Sequence, residues 1–88
     1  MFRVRWERRA LDELARIWTQ SDSVLRQSVT SASHAIDQRL RVDPHQEGES
    51  RSKGRRITFV PPLAVVFRIE TDDRTVSVLQ IRLFQRRS

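Results

Sequence analysis

At 88 residues, with 38% hydrophobic and 32% charged side chains, the chain has room for one domain, residues 1–88, and too much apolar material to stay disordered. Seventeen Lys and Arg against 11 acidic residues give a formal net charge of +6, a balance that favours an anionic partner such as nucleic acid, an anionic membrane or an acidic protein segment. The absence of cysteine excludes disulfides, thiolate zinc sites and cysteine nucleophiles. No run approaches the roughly 20 apolar residues that span a bilayer, so a cytoplasmic protein is expected.

Phe2, Val4 and Trp6 alternate with Arg3 and Arg5, a period of two that predicts a short strand and does not resemble a signal peptide. From Glu7 the period changes: Leu11, Leu14, Ala15 and Trp18 fall on one stripe of an amphipathic helix. Ser21, Asp22 and Ser23 are candidate caps for a second helix, which carries Leu25, Val29, Ala32, Ile36 and Leu40 and should end near Asp43, before Pro44. The short connection predicts an antiparallel helical hairpin. His45 to Gly54 reads as a mobile polar surface loop, turning from acidic (Glu47, Glu49) to basic (Arg51, Lys53, then Arg55 and Arg56).

Three strands are then predicted over 56–60, 63–70 and 75–84, joined through Pro61-Pro62 and through Thr71-Asp72-Asp73-Arg74. Tight connections make them an antiparallel meander, and the helices should cover one face of the sheet, an α+β arrangement. Alternation puts Ile57 and Phe59, then Leu63, Val65, Phe67 and Ile69, then Leu79, Ile81 and Leu83 toward the helices. Arg56, Arg68 and Arg82 would then share the open face with Arg3 and Arg5, because a buried, unpaired arginine is prohibitively costly. Val76 and Val78 break this scheme, so the last strand is apolar on both faces or contains a bulge. An open face dotted with guanidinium groups suits a phosphate backbone or an acidic peptide.

The order of elements and several local patterns resemble the RelE/ParE toxin superfamily. The opening Val4-Arg5-Trp6-Glu7-Arg8-Arg9-Ala10-Leu11-Asp12-Glu13-Leu14 is similar to the family's strand that ends in an aromatic residue and runs into a helix with an Ala-x-x-Asp/Glu-Leu signal. Asp43-Pro44, Gly48 and Gly54-Arg55-Arg56 resemble its Pro…Gly…Gly-x-Arg loop, and Leu63–Ile69 and Val76–Ile81 its paired hydrophobic strands. Membership implies the toxin of a type II toxin–antitoxin pair, of the plasmid-stabilisation kind, held in a hetero-oligomer by a cognate antitoxin that lays a helix and an acidic or apolar segment over it. RelE-like members cut messenger RNA in the ribosomal decoding site; ParE-like members inhibit DNA gyrase. No membrane partner is implied.

A metal-free ribonuclease needs a base, an acid and cationic donors around one phosphate. The resemblance places Arg56 at one basic strand position and Arg86 at the basic residue after the last strand, as candidate catalytic residues. Arg51, Lys53, Arg55, Arg68 and Arg82 are candidate RNA- or partner-binding residues. The pattern fails at Ala64, where many relatives have arginine, at Leu83, where histidine is frequent, and in the lack of any tyrosine. His34 lies within the second helix, whereas His45 beside the basic loop is a candidate acid or base. With Glu47 and Glu49, His45 matches no strong metal pattern, and neither metal nor cofactor is expected. The expected function is a block of translation by ribosome-dependent mRNA cleavage, an mRNA interferase; the alternatives are a non-enzymatic gyrase inhibitor and a family member that has lost toxicity.

Overall fold

The structure is a computed structural model that describes residues 1–84. A strand β1 (Arg3–Trp6) leads into helix α1 (Arg8–Gln20) and helix α2 (Ser23–Val42). The short strand β2 (Glu49–Ser50) follows, then β3 (Arg55–Val60), β4 (Leu63–Glu70) and β5 (Thr75–Leu83). The sheet order is β1-β5-β4-β3-β2, antiparallel except for β1, which lies parallel to β5. The α+β expectation holds. The parallel pairing was not foreseen, because it joins the first strand of the chain to the last across both helices and the meander.

The helix α2 starts where a cap was expected: the Asp22 carboxylate accepts a hydrogen bond from the Leu25 amide at 2.8 Å. Val29, Ala32, Ile36 and Leu40 are buried as their spacing requires, and Pro44 follows its end. The stripe on α1 is rotated from the expected one. Ala10 is buried, with Leu14 and Ile17 packed against the core, while Leu11 and Trp18 stay 48% and 44% exposed. Leu11, Ala15 and Trp18 line, with Val29 and Thr30 of α2, a groove of about 300 Å³. Arg26 stacks over the Trp18 ring, 4.4 Å from the centroid, and donates to the Trp18 and Thr19 carbonyls.

The sheet packs on the helices through Leu63, Val65 and Phe67 of β4 and Val76, Val78 and Ile81 of β5. A register shift opposite Val66 and Phe67 leaves Leu79 without a partner, so Val78 pairs with Phe67 and Gln80 with Val66. This is the bulge that resolves the conflict over Val76 and Val78: both point to the core, Ile81 rejoins them, and Leu83 is 40% exposed. Beyond Trp6, where β1 stops, α1 takes over the edge of β5, and the Glu13 carboxylate accepts from the Ile81 amide at 2.8 Å.

The faces of β3 are the reverse of the expectation. Val60 pairs with Leu63, Thr58 with Val65 and Arg56 with Phe67, so these three look to the helix side, where Thr58 and Val60 are buried. Ile57 and Phe59 look outward instead. The segment 45–54 also carries regular structure that the sequence did not suggest. It contains two single 3₁₀ turns, and β2 pairs with β3 through Glu49–Ile57 and Ser50–Arg56. Gly48 makes the approach possible: its φ is +66°, and a Cβ there would come within 2.0 Å of the Ile57 carbonyl oxygen. Among the described residues no helix is long and apolar enough to cross a membrane.

Candidate functional site

Register assigns the open face residue by residue. Directly paired residues in a ladder share a face, and successive rows cross the strands. One row runs Arg5, Ser77, Arg68, Arg55 from β1 to β3. The next is Gln80, Val66, Ile57, and the third Arg82, Ala64, Phe59. Arg3, opposite Thr75, extends the face at its other end. Arg3, Arg5, Arg68 and Arg82 therefore lie where the alternation put them, and Arg55 joins them.

The cations differ in their partners. Arg5 donates to Glu7 at 3.3 Å and to Ser77 Oγ at 3.4 Å, so part of its charge is used within the fold. Arg55 and Arg68 stand directly opposite each other, and neither has an ion pair among the described residues. Like charges in such a position repel, and an anion laid across them would relieve that cost. Arg82 is exposed beside Gln80, whose carboxamide oxygen, oriented to satisfy both ends of the amide, accepts from Arg82 Nη2 at 2.8 Å and from Arg9 Nη2 at 3.2 Å.

Between these cations the face is apolar. Ile57, Val66 and Ala64 are half-buried, and Phe59 is 49% exposed. The Phe59 ring lies 5.2 Å from that of Phe84, also 49% exposed, at an interplanar angle of 56°. Sequence reasoning missed this aromatic pair because it turned Phe59 inward. The signal was present in the two-residue connection Pro61-Pro62, which sets Val60 opposite Leu63 and hence on its face.

Of the other expected site residues only Arg51, opposite Arg55, borders this face. Arg56 lies on the helix side, half-buried, and its guanidinium donates to the Glu47 carbonyl (3.1 Å), the Gly48 carbonyl (3.2 Å) and Ser50 Oγ (2.9 Å). Arg51 is paired with Glu49 at 3.1 Å, and Lys53 sits exposed in the turn with φ +63°. His45 is exposed in the 3₁₀ turn after α2, edge-on to Phe2 with ring centroids 5.7 Å apart. His34 is exposed on α2. Arg86 lies outside the described residues. The arrangement brings Arg55, Arg68 and Arg82 to one surface, with Arg51 at its edge opposite Arg55 and held by Glu49, and separates Lys53 and Arg56 from it.

Residues 4–86 match the family described as ParE toxin of type II toxin-antitoxin system, parDE. No curated protein sequence matches the chain. Among solved structures, the fold is similar to the toxin–antitoxin complex RelBE2 from Mycobacterium tuberculosis, with TM-score 0.74 and 16% identity over 93% of this chain and 90% of that one. It is similar to the chromosomal ParDE toxin–antitoxin system from P. aeruginosa, with TM-score 0.66 and 20% identity over 97% and 98% of the two chains. The isolated E. coli RelE toxin gives TM-score 0.65 and 14% identity over 100% of this chain and 89% of that one.

Proposed function

Because the chain belongs to the ParE toxin family of type II toxin–antitoxin systems, we propose that a cognate antitoxin chain holds it inactive and that, once free, it disables DNA gyrase by binding. Inhibition of gyrase is what the resemblance to ParE-like members implies. The observation that carries the non-enzymatic reading is the chemistry of the open face. Its polar groups among the described residues are guanidinium, amide and hydroxyl, with acidic side chains at the margins, and both histidines of the chain lie elsewhere. A guanidinium stays protonated in any protein and cannot serve as the base that ribose attack requires. Arg56 is already committed to three acceptors.

An antitoxin partner suits the exposed apolar residues Leu11, Trp18 and Val24, which a second chain would remove from water. The purified toxin should inhibit gyrase supercoiling, and addition of the antitoxin should restore it. Unchanged supercoiling at toxin in large excess would remove the gyrase reading.

One observation favours a second reading, the ribosome-dependent cleavage of messenger RNA. Arg55 and Arg68 oppose each other without an acid, as cationic stabilisation of a phosphorane would need. That reading calls for cuts inside translated messages, absent when both arginines are replaced by glutamine.

A further inference from the structure

The outer face of the helical hairpin carries almost no charge, which inhibition of gyrase does not explain. Three adjoining grooves of about 510, 550 and 300 Å³ run along α2. The first two share Val24, Gln27 and Ser31, and the first and third share Trp18 and Thr30. Arg26 is the one charged residue that lines them, although 32% of the chain is charged. Its guanidinium is already stacked over the Trp18 ring and bonded to two carbonyls. Grooves elsewhere differ: one between α1 and β5 is lined by Glu13, Arg16 and Arg82, and one at β1 by Arg3, Arg5, Glu70 and Asp73. Depletion of charge around an exposed aromatic residue is the compositional mark of a protein–protein interface.

We propose that the free chain forms a symmetric dimer through this face, with α2 of one copy crossing α2 of its partner antiparallel near Ser28 and Ser31. The inference goes beyond inhibition of gyrase and does not rest on it. It concerns the chain when no antitoxin covers Leu11, Trp18 and Val24. Charge selects a second copy as the occupant. Each copy carries +6, so two copies repel wherever their cations meet, and least across an uncharged face. A nucleic acid or an acidic peptide would find only Arg26 to pair with here and would gain more on the open face of the sheet. Shape agrees: Val24, Ser28, Ser31 and Ala35 form one stripe at helical spacing, and its small side chains let two helices approach to the usual distance of about 8–10 Å. The 20 residues of α2 extend about 30 Å, and two helices side by side are about 20 Å wide. One copy therefore presents about 600 Å² and a pair about 1,200 Å², just above the about 1,000 Å² that a specific interface needs. A contact of that size between identical faces closes on itself as a reversible dimer.

The experiment is sedimentation velocity of the purified chain over a concentration series at low and high salt, with Ser31→Arg, Ser31→Glu and an equimolar mixture of the two. Ser31 is exposed, both replacements are good helix formers, and circular dichroism verifies that each variant is folded. Expected for the native chain is a mass that doubles in the micromolar range, with association strengthened by salt as the repulsion between two basic copies is screened. Either variant alone should associate at least about tenfold more weakly, because like charges meet near the two-fold axis, and the mixture should pair again. Three results overturn the proposal. A single-chain mass up to millimolar concentration would leave the face to the antitoxin. A dimer that both variants leave intact would put the contact elsewhere on the chain. Loss of association that the mixture does not reverse would remove the two-fold arrangement. The supercoiling assay is separate, so failure of either idea leaves the other standing.

Discussion

Removing the Arg56 guanidinium separates a structural role from a chemical one. In Arg56→Met the aliphatic stem remains over the helix side of β3, while the three hydrogen bonds to Glu47, Gly48 and Ser50 are lost. A net hydrogen bond contributes about 0.5–1.5 kcal/mol, so three would amount to about 1.5–4.5 kcal/mol. The contacts to Gly48 and Ser50 are exposed, and their acceptors regain water, which places the expected loss near the lower end, at about 2 kcal/mol. For a domain of this size that lowers Tm by about 8–16 °C. Thermal unfolding followed by circular dichroism measures it, and amide exchange should show β2 opening before the β4–β5 core. Gyrase inhibition by the variant should persist below its lowered Tm. An unchanged Tm together with lost toxicity would refute the reasoning and make Arg56 a chemical group.

Gly48→Ala should cost more than about 2 kcal/mol, since it adds strain at positive φ to a clash with the Ile57 carbonyl, and denaturant unfolding would report it. Glu13→Leu leaves the Ile81 amide without its acceptor and should cost about 1–3 kcal/mol, visible as faster exchange of that amide. Asp22→Ala removes the cap of α2 and should cost about 1 kcal/mol in the same unfolding assay. Phe67→Ala opens the centre of the core and should cost about 3–5 kcal/mol, enough to leave much of a small domain unfolded at growth temperature.

Much of the fold was legible because the periodic signals were long. The 20 residues of α2 keep four buried positions at helical spacing between Asp22 and Pro44, and β4 alternates cleanly from Leu63 to Phe67. What failed was short or mixed. On α1 both Leu11–Trp18 and Ala10–Ile17 trace plausible stripes, and only the position of β5 decides that Ala10 goes inward. On β3, Arg56, Thr58 and Val60 seemed the polar set, yet the guanidinium reaches past the sheet edge to the β2 turn while Thr58 and Val60 fill the core. The cost of burying arginine was the wrong constraint there, because a long side chain can leave the face on which its Cα lies. The candidate site inherited that error: the sequence led to the arginines of the open face and to Phe84 beside Arg82, but not to Phe59.

The most direct test of the central claim, toxicity by binding rather than by RNA cleavage, is controlled expression without antitoxin, with pulse labelling of DNA and protein synthesis and mapping of RNA ends. The account predicts that DNA synthesis falls first while translated messages stay intact. An early fall in protein synthesis with new breaks inside those messages would contradict it.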